Sequence, residues 1–461
     1  MFYTYRKVLV IISIVFCLSP SVFAYSGGSG EPNDPYRIAD VNDLLVLAAD
    51  VNDYIKAFVL INDINLAEYT FSKALIARDG ITFNGIFDGN GHSIISLKID
   101  ANNSEDFIGL FGEIGLGGIV KNLGIEDVNI TGGDNYIGGL CGWNYHGSIS
   151  NCYSTGNVSG NISTGGLCGW NYNSSISNCY STGNVSGNTA TGGLCGQNYR
   201  GNIIACYSTG NVSGNSYTGG LCGINYNNIT SCYSTGIVSG SGNYTGGLCG
   251  ENVAIISNCY STGNVSGNNY TGGLCGTNYY KITSCYSTGT INGNGNYTGG
   301  LCGGNVMNIT NCYSTGNVSG SSYVGGLCGS SYTASGIISC YFLDTTGPDN
   351  GLGEPLTDAQ MKQQASYTDW DFSYEDGDEA DWFIQIDEYP ILTWQISPAD
   401  IYTDGRNNFR DFAVFAQYWM RKDCRVYNDY CDWADLNFDG SVDTDDLIIL
   451  MSYWLQSGIY E

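Results

Sequence analysis

The chain has 461 residues, which is enough for two or three domains. Gly accounts for 66 residues, Pro for only 7 and hydrophobic residues for 43%, so the composition excludes a collagen and a globally disordered chain. The formal net charge of -27 argues against nucleic acid and anionic lipid as partners, because both require a basic surface. With only two histidines, the chain has almost no material for a Ser-His-Asp triad or a His-rich zinc site.

Residues 1–24 are predicted to be a secretory signal peptide. Arg6 and Lys7 precede an apolar run that extends to Leu18, and Ala24 supplies a small residue for cleavage. The run is too short to read as a membrane span, and no later stretch is long and apolar enough to be one. We therefore expect an exported protein without a transmembrane segment, either secreted or held at the cell surface.

Residues 25–138 are predicted to form an N-terminal cap and the first, degenerate coils of the repetitive structure that follows. Asp40 is placed to cap a short helix over residues 41–49, which would cover an exposed sheet edge. Asp88 and His92 could be argued to be catalytic, but the segment 87–92 is better explained as a tight turn between two strands.

Residues 139–343 contain eight copies of a short repeat. The phrase Gly-Gly-Leu-Cys-Gly recurs at a spacing of 26 or 27 residues, and a second phrase, Cys-Tyr, follows each copy. Short β-branched or apolar runs alternate with Gly, Asn and Ser clusters, which predicts strands and turns. Units this short cannot bury a core alone, so the predicted fold class is mostly β, a β-solenoid (β-helix) of about 27-residue coils stacked ~4.8 Å apart.

Stacked coils would place identical side chains on one another. Seven of the eight first cysteines are followed three residues later by asparagine, and these asparagines are predicted to form one ladder. The tyrosine after each second cysteine is predicted to form another. Two interpretations of the tyrosines stay open at this stage. They stabilise the stack, or they line a face that binds glycan by ring stacking.

The cysteines also admit two interpretations. Eighteen follow the signal peptide, an even number that is compatible with disulfides in an exported protein. Buried free cysteine, however, packs equally well as a small hydrophobic residue. In an earlier degenerate copy Phe111 and Leu123 occupy the two cysteine positions, so both positions are predicted to face the core.

The signature Gly-Leu-Cys-Gly resembles the GLUG-motif repeats of bacterial surface and secreted proteins. Between Cys141 and Cys340 the charged residues are Arg200, Glu251 and Lys281. Glycosidases need a pair of carboxylates, and this stretch contains a single one. We therefore expect a non-catalytic solenoid with an adhesive, glycan-binding, spacer or surface-layer role. The alternative is a β-helix polysaccharide lyase or hydrolase.

Residues 344–396 change composition sharply, with thirteen acidic residues, the single basic residue Lys362, and the tryptophans Trp370, Trp382 and Trp394. The prediction is an acidic C-terminal cap and linker. A carbohydrate-binding patch built on the tryptophans and a pair of catalytic carboxylates are the alternatives.

Residues 397–461 carry the one strong chemical motif, a twelve-residue loop that predicts Ca²⁺ as a cofactor. Its oxygen ligands would be Asp435, Asn437, Asp439, Ser441, Asp443 and Asp446. A degraded copy 35 residues earlier would offer Asp400, Asp404, Asn408 and Asp411, with Tyr402 in place of a ligand. A helix-like apolar segment follows each loop, and Cys424 and Cys431 between the halves could form a disulfide.

This duplicated loop-helix segment is similar to a type I dockerin. The resemblance implies a small α-helical calcium-loop domain that attaches its carrier to a cohesin-like scaffold partner, often in assemblies that degrade polysaccharide. The sequence departs from the family pattern at positions 10 and 11 of each loop, where many dockerins use Ser-Thr to select the partner. Here these positions hold Phe409-Arg410 and Thr444-Asp445. An extracellular polysaccharide is a further candidate partner.

Overall fold

The computed structural model describes residues 25–102, 104–372, 381–384, 387–395, 409–422, 424, 431, 434–436 and 440–457. The predicted signal peptide, residues 1–24, lies outside the described residues. Within the described residues the protein is a parallel β-solenoid of about 11 turns, with a few small helices toward the C-terminus. The predicted fold class is confirmed. No helix in this part of the chain has both the length and the apolar character that a membrane span requires.

Two narrow sheets lie on either side of the Gly-Gly-Leu corner in each coil. The eight-stranded sheet consists of Asn135–Gly138, Ile162–Gly165, Thr189–Gly192, Ser216–Gly219, Asn243–Gly246, Asn269–Gly272, Asn296–Gly299 and Ser322–Gly325. The nine-stranded sheet begins at each first cysteine or its equivalent and consists of Phe111–Ile114, Cys141–Tyr145, Cys168–Tyr172, Cys195–Tyr199, Cys222–Asn225, Cys249–Asn252, Cys275–Asn278, Cys302–Asn305 and Cys328–Ser331.

The rest of each coil belongs to a 28-stranded sheet. In the N-terminal part it contains Tyr36–Ile38, Ala57–Leu60, Ile64–Asn65, Ile86–Asp88, Ser93–Ile95, Lys98–Asp100, Ile119–Lys121 and Gly124–Thr131. In the repeats it contains Ser148–Ser150, Tyr153–Ser159, Ser175–Ser177, Tyr180–Ser181, Asn184–Ser186, Asn202–Ile204, Tyr207–Ser208, Val212–Gly214, Ile229–Thr230, Tyr233–Ser234, Val238–Gly240, Ile255–Ser261, Val265–Gly267, Lys281–Ser287, Ile291–Gly293, Asn308–Ser314, Val318–Ser319, Ile337–Ile338, Tyr341–Leu343 and Glu354–Leu356.

The described helices are short. The α-helices are α1 (Val41–Ala49), α2 (Asp358–Met361), α3 (Phe409–Tyr418) and α4 (Thr444–Ser457), and 3-10 turns span Val51–Ile55, Ala334–Gly336, Gln364–Ser366 and Thr393–Gln395. Helix α1 occupies the predicted residues. The Asp40 carboxylate caps it by accepting hydrogen bonds from the backbone N–H groups of Asn42 at 2.8 Å and Asp43 at 3.1 Å.

The coils stack in register, so each side chain meets its counterpart one repeat later. Cys141, for example, pairs with Cys168, and in the degenerate coil below it pairs with Phe111. Phe111 and Leu123 are both fully buried, which confirms that the two cysteine positions face the core. The Gly-Gly corner requires glycine because a Cβ at Gly139 would lie only 2.6 Å from the carbonyl oxygen of the next coil.

The predicted turn over residues 87–92 is confirmed. It joins strands Ile86–Asp88 and Ser93–Ile95, and the Asp88 carboxylate accepts hydrogen bonds from the backbone of Asn90 at 2.9 Å and the side chain of Asn122 at 3.0 Å. The nearest described partner of the His92 ring is Asp63, at 3.2 Å, and not Asp88. Asp88 and His92 are thus parts of a turn and form no hydrogen bond to each other.

The sixteen repeat cysteines are free and buried. They form two columns within the core, and several donate their S–H to a backbone carbonyl, as Cys285 does to Thr283 at 3.1 Å. Burial raises the pKa of the Cys232 thiol well above its usual range, which keeps it neutral. Of the two interpretations, the structure adopts the one in which these residues are core-filling thiols.

The buried asparagines form the predicted ladder. Each side-chain amide donates to the Oδ1 of the next, at 2.9 Å from Asn144 to Asn171 and at 2.8 Å between the later members. The buried members are Asn144, Asn171, Asn198, Asn225, Asn252, Asn278 and Asn305. Inside the solenoid these amides bond to one another and to nearby backbone groups, and the last of them, Asn305, donates to the hydroxyl of Ser331 at 3.1 Å. The ladder thus keeps most of a buried polar column hydrogen-bonded.

A segment that we call the strap folds back along the side of the solenoid; its described residues are 357–372, 381–384 and 387–395. It begins after Glu354–Leu356, which adds a last parallel rung beside Tyr341–Leu343. A two-stranded antiparallel pair, Trp382–Phe383 with Ile391–Leu392, lies within it. The segment predicted as a C-terminal cap and linker therefore covers the side of several coils.

Candidate functional site

The loop before α4 brings two predicted calcium ligands together. The carboxylates of Asp435 and Asp446, at loop positions 1 and 12, are both fully buried. Asp446 accepts hydrogen bonds from the backbone N–H of Leu436 at 2.7 Å and of Asp443 at 2.9 Å, and Asp435 accepts one from Gly440 at 2.9 Å. Backbone donors from the loop thus hold both carboxylates, which fixes the ends of the loop relative to each other.

Glycine occupies position 6 of the loop, where the chain turns sharply. Gly440 has a φ of +97°, a conformation that a residue with a side chain rarely adopts. Its carbonyl accepts from the N–H of Cys424 at 3.1 Å, and Val442 exchanges backbone hydrogen bonds with the residues that follow α3. The predicted disulfide between Cys424 and Cys431 is present, with a Cα–Cα distance of 5.0 Å. The loop is therefore tied to the first half of the segment.

The remaining predicted ligands divide into two groups. Ser441 and Asp443 are described, and the Asp443 carboxylate accepts the backbone N–H of Asp445 at 3.0 Å, as an N-cap of α4 does. Those outside the described residues are Asn437, Asp439, Asp400, Asp404 and Asn408, and the side chain of Asp411 in α3 is likewise outside them. Within the described part of the chain no three His, Cys, Asp or Glu side chains gather as a metal site.

The donor chemistry of the loop fits a hard cation. Two carboxylates buried in one short loop are costly unless positive charge or hydrogen bonds compensate them. Calcium prefers such oxygen donors, and Asp435, Ser441, Asp443 and Asp446 would contribute to its cage. Bound calcium would supply the positive charge that lets several carboxylates occupy one loop, so metal binding and folding of the loop would be coupled.

The tyrosines after the second cysteines form the predicted ladder in the 28-stranded sheet. Adjacent rings from Tyr153 to Tyr313 lie 4.8 to 5.0 Å apart and within 9° of parallel. Because each ring face is covered by its neighbour, the ladder offers ring edges to solvent. Sugar stacking needs an open ring face, so this arrangement favours the stabilising interpretation over the glycan-binding one.

The strap covers the C-terminal part of this ladder with its three tryptophans. Trp370 and Trp382 are buried, with ring centroids 4.3 Å apart, and Trp382 lies 5.8 Å from Tyr313. The third, Trp394, lies 5.7 Å from Tyr260 and donates its indole N–H to a backbone carbonyl at 3.0 Å. Two of the three tryptophans are thus core residues of the strap and cannot form an open binding patch.

A second aromatic column, which the sequence analysis missed, runs along the eight-stranded sheet. Tyrosine occupies the position five residues before the first cysteine in five successive coils, and adjacent rings lie 4.6 to 5.1 Å apart. Its members are Tyr217, Tyr244, Tyr270, Tyr297 and Tyr323. All five have positive φ, between 53° and 65°, which is rare for a bulky residue. The recurrence of Tyr before Thr-Gly-Gly-Leu-Cys or Val-Gly-Gly-Leu-Cys was the available signal.

A shallow groove of about 380 Å³ follows the Asn-Val-Ser positions of the 28-stranded sheet. Asn157, Asn184 and Asn211 line it together with Ser159, Ser186 and Ser213. These amides and hydroxyls repeat once per coil, and the valines between them are buried. The groove carries no ionisable group, so it offers hydrogen bonding and no acid–base chemistry.

The comparisons with known proteins concern the repeats. The model of the family described as the GLUG motif matches residues 133–159, 160–186, 187–213, 241–266, 267–292 and 294–319. Halomucin of Haloquadratum walsbyi is 31% identical over 144 residues, and a Gly-rich membrane protein of Evansella cellulosilytica is 32% identical over 157 residues. These alignments cover 29% and 31% of this chain but only 2% and 18% of the two relatives.

Two solved structures are similar at a coarse level. An immunoglobulin A1 protease candidate from Bacteroides ovatus has a TM-score of 0.39 at 18% identity, covering 80% of this chain and 95% of that one. An IgA1 protease has a TM-score of 0.35 at 15% identity, covering 66% of this chain and 21% of that one. Neither similarity supports a statement about activity. Six of the coils carry the GLUG motif, as the Gly-Leu-Cys-Gly signature predicted.

Proposed function

We propose that this protein is an exported, non-catalytic β-solenoid that a calcium-dependent, dockerin-like C-terminal segment attaches to a cohesin-like partner. The observation that carries the proposal is the pair of buried carboxylates of Asp435 and Asp446 at the two ends of one loop. A calcium loop needs oxygen donors at these positions and a sharp turn at position 6, and Gly440 has the φ that such a turn requires.

The chemistry of the solenoid supports the non-catalytic part. From Cys141 to Cys340 its charged side chains are Arg200, Glu251 and Lys281, and the core thiols are buried. A glycosidase would need two carboxylates a fixed distance apart, and a single glutamate cannot supply them. We therefore assign the solenoid an adhesive, glycan-binding or spacer role on the outside of the cell.

Calcium titration of the full chain lacking residues 1–24 tests the attachment part. We expect saturable calorimetric heat with the native chain, and its loss in a variant that carries Asp435→Asn and Asp446→Asn. The control is Asp445→Asn, which removes a single negative charge from an exposed residue at the start of the same helix. No saturable heat at millimolar calcium, or equal heat in all three proteins, would contradict the proposal.

A binding assay then addresses the partner. Immobilised cohesin domains of several types are expected to retain the native chain in calcium and release it in a chelator. Calcium binding without retention by any cohesin would keep the metal site and refute the dockerin-like role. The glycan-binding alternative is tested by measuring the binding of soluble polysaccharides to the native protein and to the groove variant Asn184→Ala. If the native protein does not bind, or if the variant binds equally well, the result argues for a spacer role.

A further inference from the structure

Glu251 is a half-buried charge in a column of outward side chains that, from Trp143 to Ser330, are otherwise uncharged. It lies in strand Cys249–Asn252 of the nine-stranded sheet, where it pairs with Ile224 on one side and Thr277 on the other. Burial raises the pKa of its carboxyl group, and within the described residues its carboxylate has no hydrogen-bond or ion-pair partner. A carboxylate in that position is costly unless something compensates its charge.

The aromatic column of the eight-stranded sheet leans over this position. The residue five before the first cysteine in one coil covers the outward residue of the next coil, as the ring of Tyr136 covers Trp170 at 4.8 Å. The ring of Tyr270 likewise covers Gly304, 2.8 Å from where a Cβ would stand. The same relation between coils places Tyr217 over Glu251.

Three further tyrosines complete the surroundings of Glu251. The ring of Tyr244 stacks on Tyr217 with centroids 5.0 Å apart, and Tyr279 directly follows the neighbouring strand Cys275–Asn278. Burial raises the pKa of Tyr279 to about 12, and the negative charge of Glu251 contributes to the increase. The same charge contributes, after burial, to raised pKa values of Tyr217 and Tyr226, so all three phenols lie within its field.

Two coils earlier, the same surface already carries a cation beside its rings. The guanidinium carbon of Arg200 lies 5.5 Å from the ring centroid of Tyr199, and the ring of Tyr226 follows at 5.3 Å. Aromatic faces attract cations through their quadrupole, and the attraction strengthens when water is partly excluded. Around Glu251 a carboxylate lies beside the tyrosine rings and adds a full negative charge to the same surface.

We propose that Glu251, together with Tyr217, Tyr226 and Tyr279, forms a binding site for an ammonium-type organic cation. Its aromatic rings would contact the alkyl groups of the cation while the carboxylate neutralises its charge. A bare metal ion is a poorer match, because calcium takes six to eight oxygen ligands and this site has one carboxylate. The cation could be a small quaternary ammonium compound or the side chain of a lysine on a partner.

Calorimetry on the full chain lacking residues 1–24 tests the site, with choline chloride as one probe and Nα-acetyl-lysine methylamide as the other. We expect binding of at least one probe and an affinity about tenfold lower in Glu251→Gln, since the variant keeps the shape and removes the charge. The matched control is Glu354→Gln, an exposed glutamate in the last strand of the 28-stranded sheet, which should leave the affinity unchanged.

The uncharged choline analogue 3,3-dimethylbutan-1-ol separates charge recognition from simple apolar contact, and we expect it not to bind. Choline binding alone identifies a small quaternary ammonium ligand, whereas binding of the lysine derivative alone identifies a peptide or protein partner. The proposal is overturned if neither probe binds at millimolar concentration. Equal affinity of native protein and Glu251→Gln, or equal binding of the uncharged analogue, would overturn it as well.

Discussion

Replacing Asn225 with alanine tests whether the buried amide ladder stabilises the solenoid. Asn225 accepts a hydrogen bond from Nδ2 of Asn198 at 2.8 Å and donates one to Oδ1 of Asn252, also at 2.8 Å. Its side chain is fully buried, so water cannot replace either partner without opening the core. Truncation therefore leaves one amide N–H and one amide oxygen of the ladder each short of a hydrogen bond. It also removes the bonds between Asn225 and the backbone of Asn227 and Ile255, of which Asn227 is only half-buried.

The magnitude follows from these two groups. A buried polar group that loses its partner costs about 1–3 kcal/mol, so two give about 2–6 kcal/mol in the free energy of unfolding. Each group keeps a second contact, since Asn198 also donates to the carbonyl of Gly201 at 2.6 Å and Asn252 accepts from the backbone of Ala254 at 3.3 Å. We therefore expect a loss in the lower half of the range, about 2–4 kcal/mol.

Urea denaturation followed by circular dichroism measures this loss. The matched control is Asn184→Ala, the same substitution in an exposed stack, where Asn184 donates to Asn157 at 3.2 Å. Surface changes of this kind cost less than about 0.5 kcal/mol. Because each coil contacts mainly its neighbours, the Asn225 variant should also broaden or split the transition. Equal losses in the two variants would refute a stabilising role for the buried ladder.

Two further predictions concern the core thiols and the strap. The sixteen repeat cysteines should resist iodoacetamide in native protein at about pH 8 and react in denaturant. Fast labelling of the native protein would contradict the burial of these thiols. Because burial raises the pKa of the Cys232 thiol, this residue stabilises the folded state below the pKa of the unfolded thiol, and the stabilisation is lost as the pH rises through the pKa of the folded thiol. Trp382→Ala should weaken docking of the strap by about 3–5 kcal/mol, seen as faster amide exchange around Tyr313, because Trp382 is fully buried. The half-exposed Trp394 serves as control, and an equal effect of Trp394→Ala would contradict the assignment of Trp382 as the anchor.

Much of the fold could be predicted from the repeat. Because the coils stack in register, the position of a residue in one coil gives the position of its counterpart in the next. The buried positions of Phe111 and Leu123, the cap at Asp40 and the asparagine ladder all depend on contacts between neighbouring coils or within one turn. Such contacts are encoded by periodicity and local propensity, which a single sequence displays directly. The bonding state of the core cysteines did not follow, since adjacent rungs permit both a disulfide and a pair of packed thiols.

The candidate sites divide in the same way. The spacing of Asp435, Gly440 and Asp446 predicted a calcium loop, because all of its proposed donors come from twelve consecutive residues. The surroundings of Glu251 were not predictable from the sequence. The tyrosines around it come from successive coils, and they meet only because the ring of one coil covers a residue of the next.

What the sequence alone determined is therefore the solenoid, its core columns and the loop motif, each of which repeats or is contiguous along the chain. What only the tertiary structure decided is where the strap lies. The 26 residues from Asp369 to Trp394 include too little periodicity to indicate a partner, yet Trp370, Trp382 and Trp394 pack along the tyrosine ladder. The position of the strap depends on the apolar surface that other coils expose. Because hydrophobic burial is not directional, the sequence of the strap does not show which surface will cover its tryptophans.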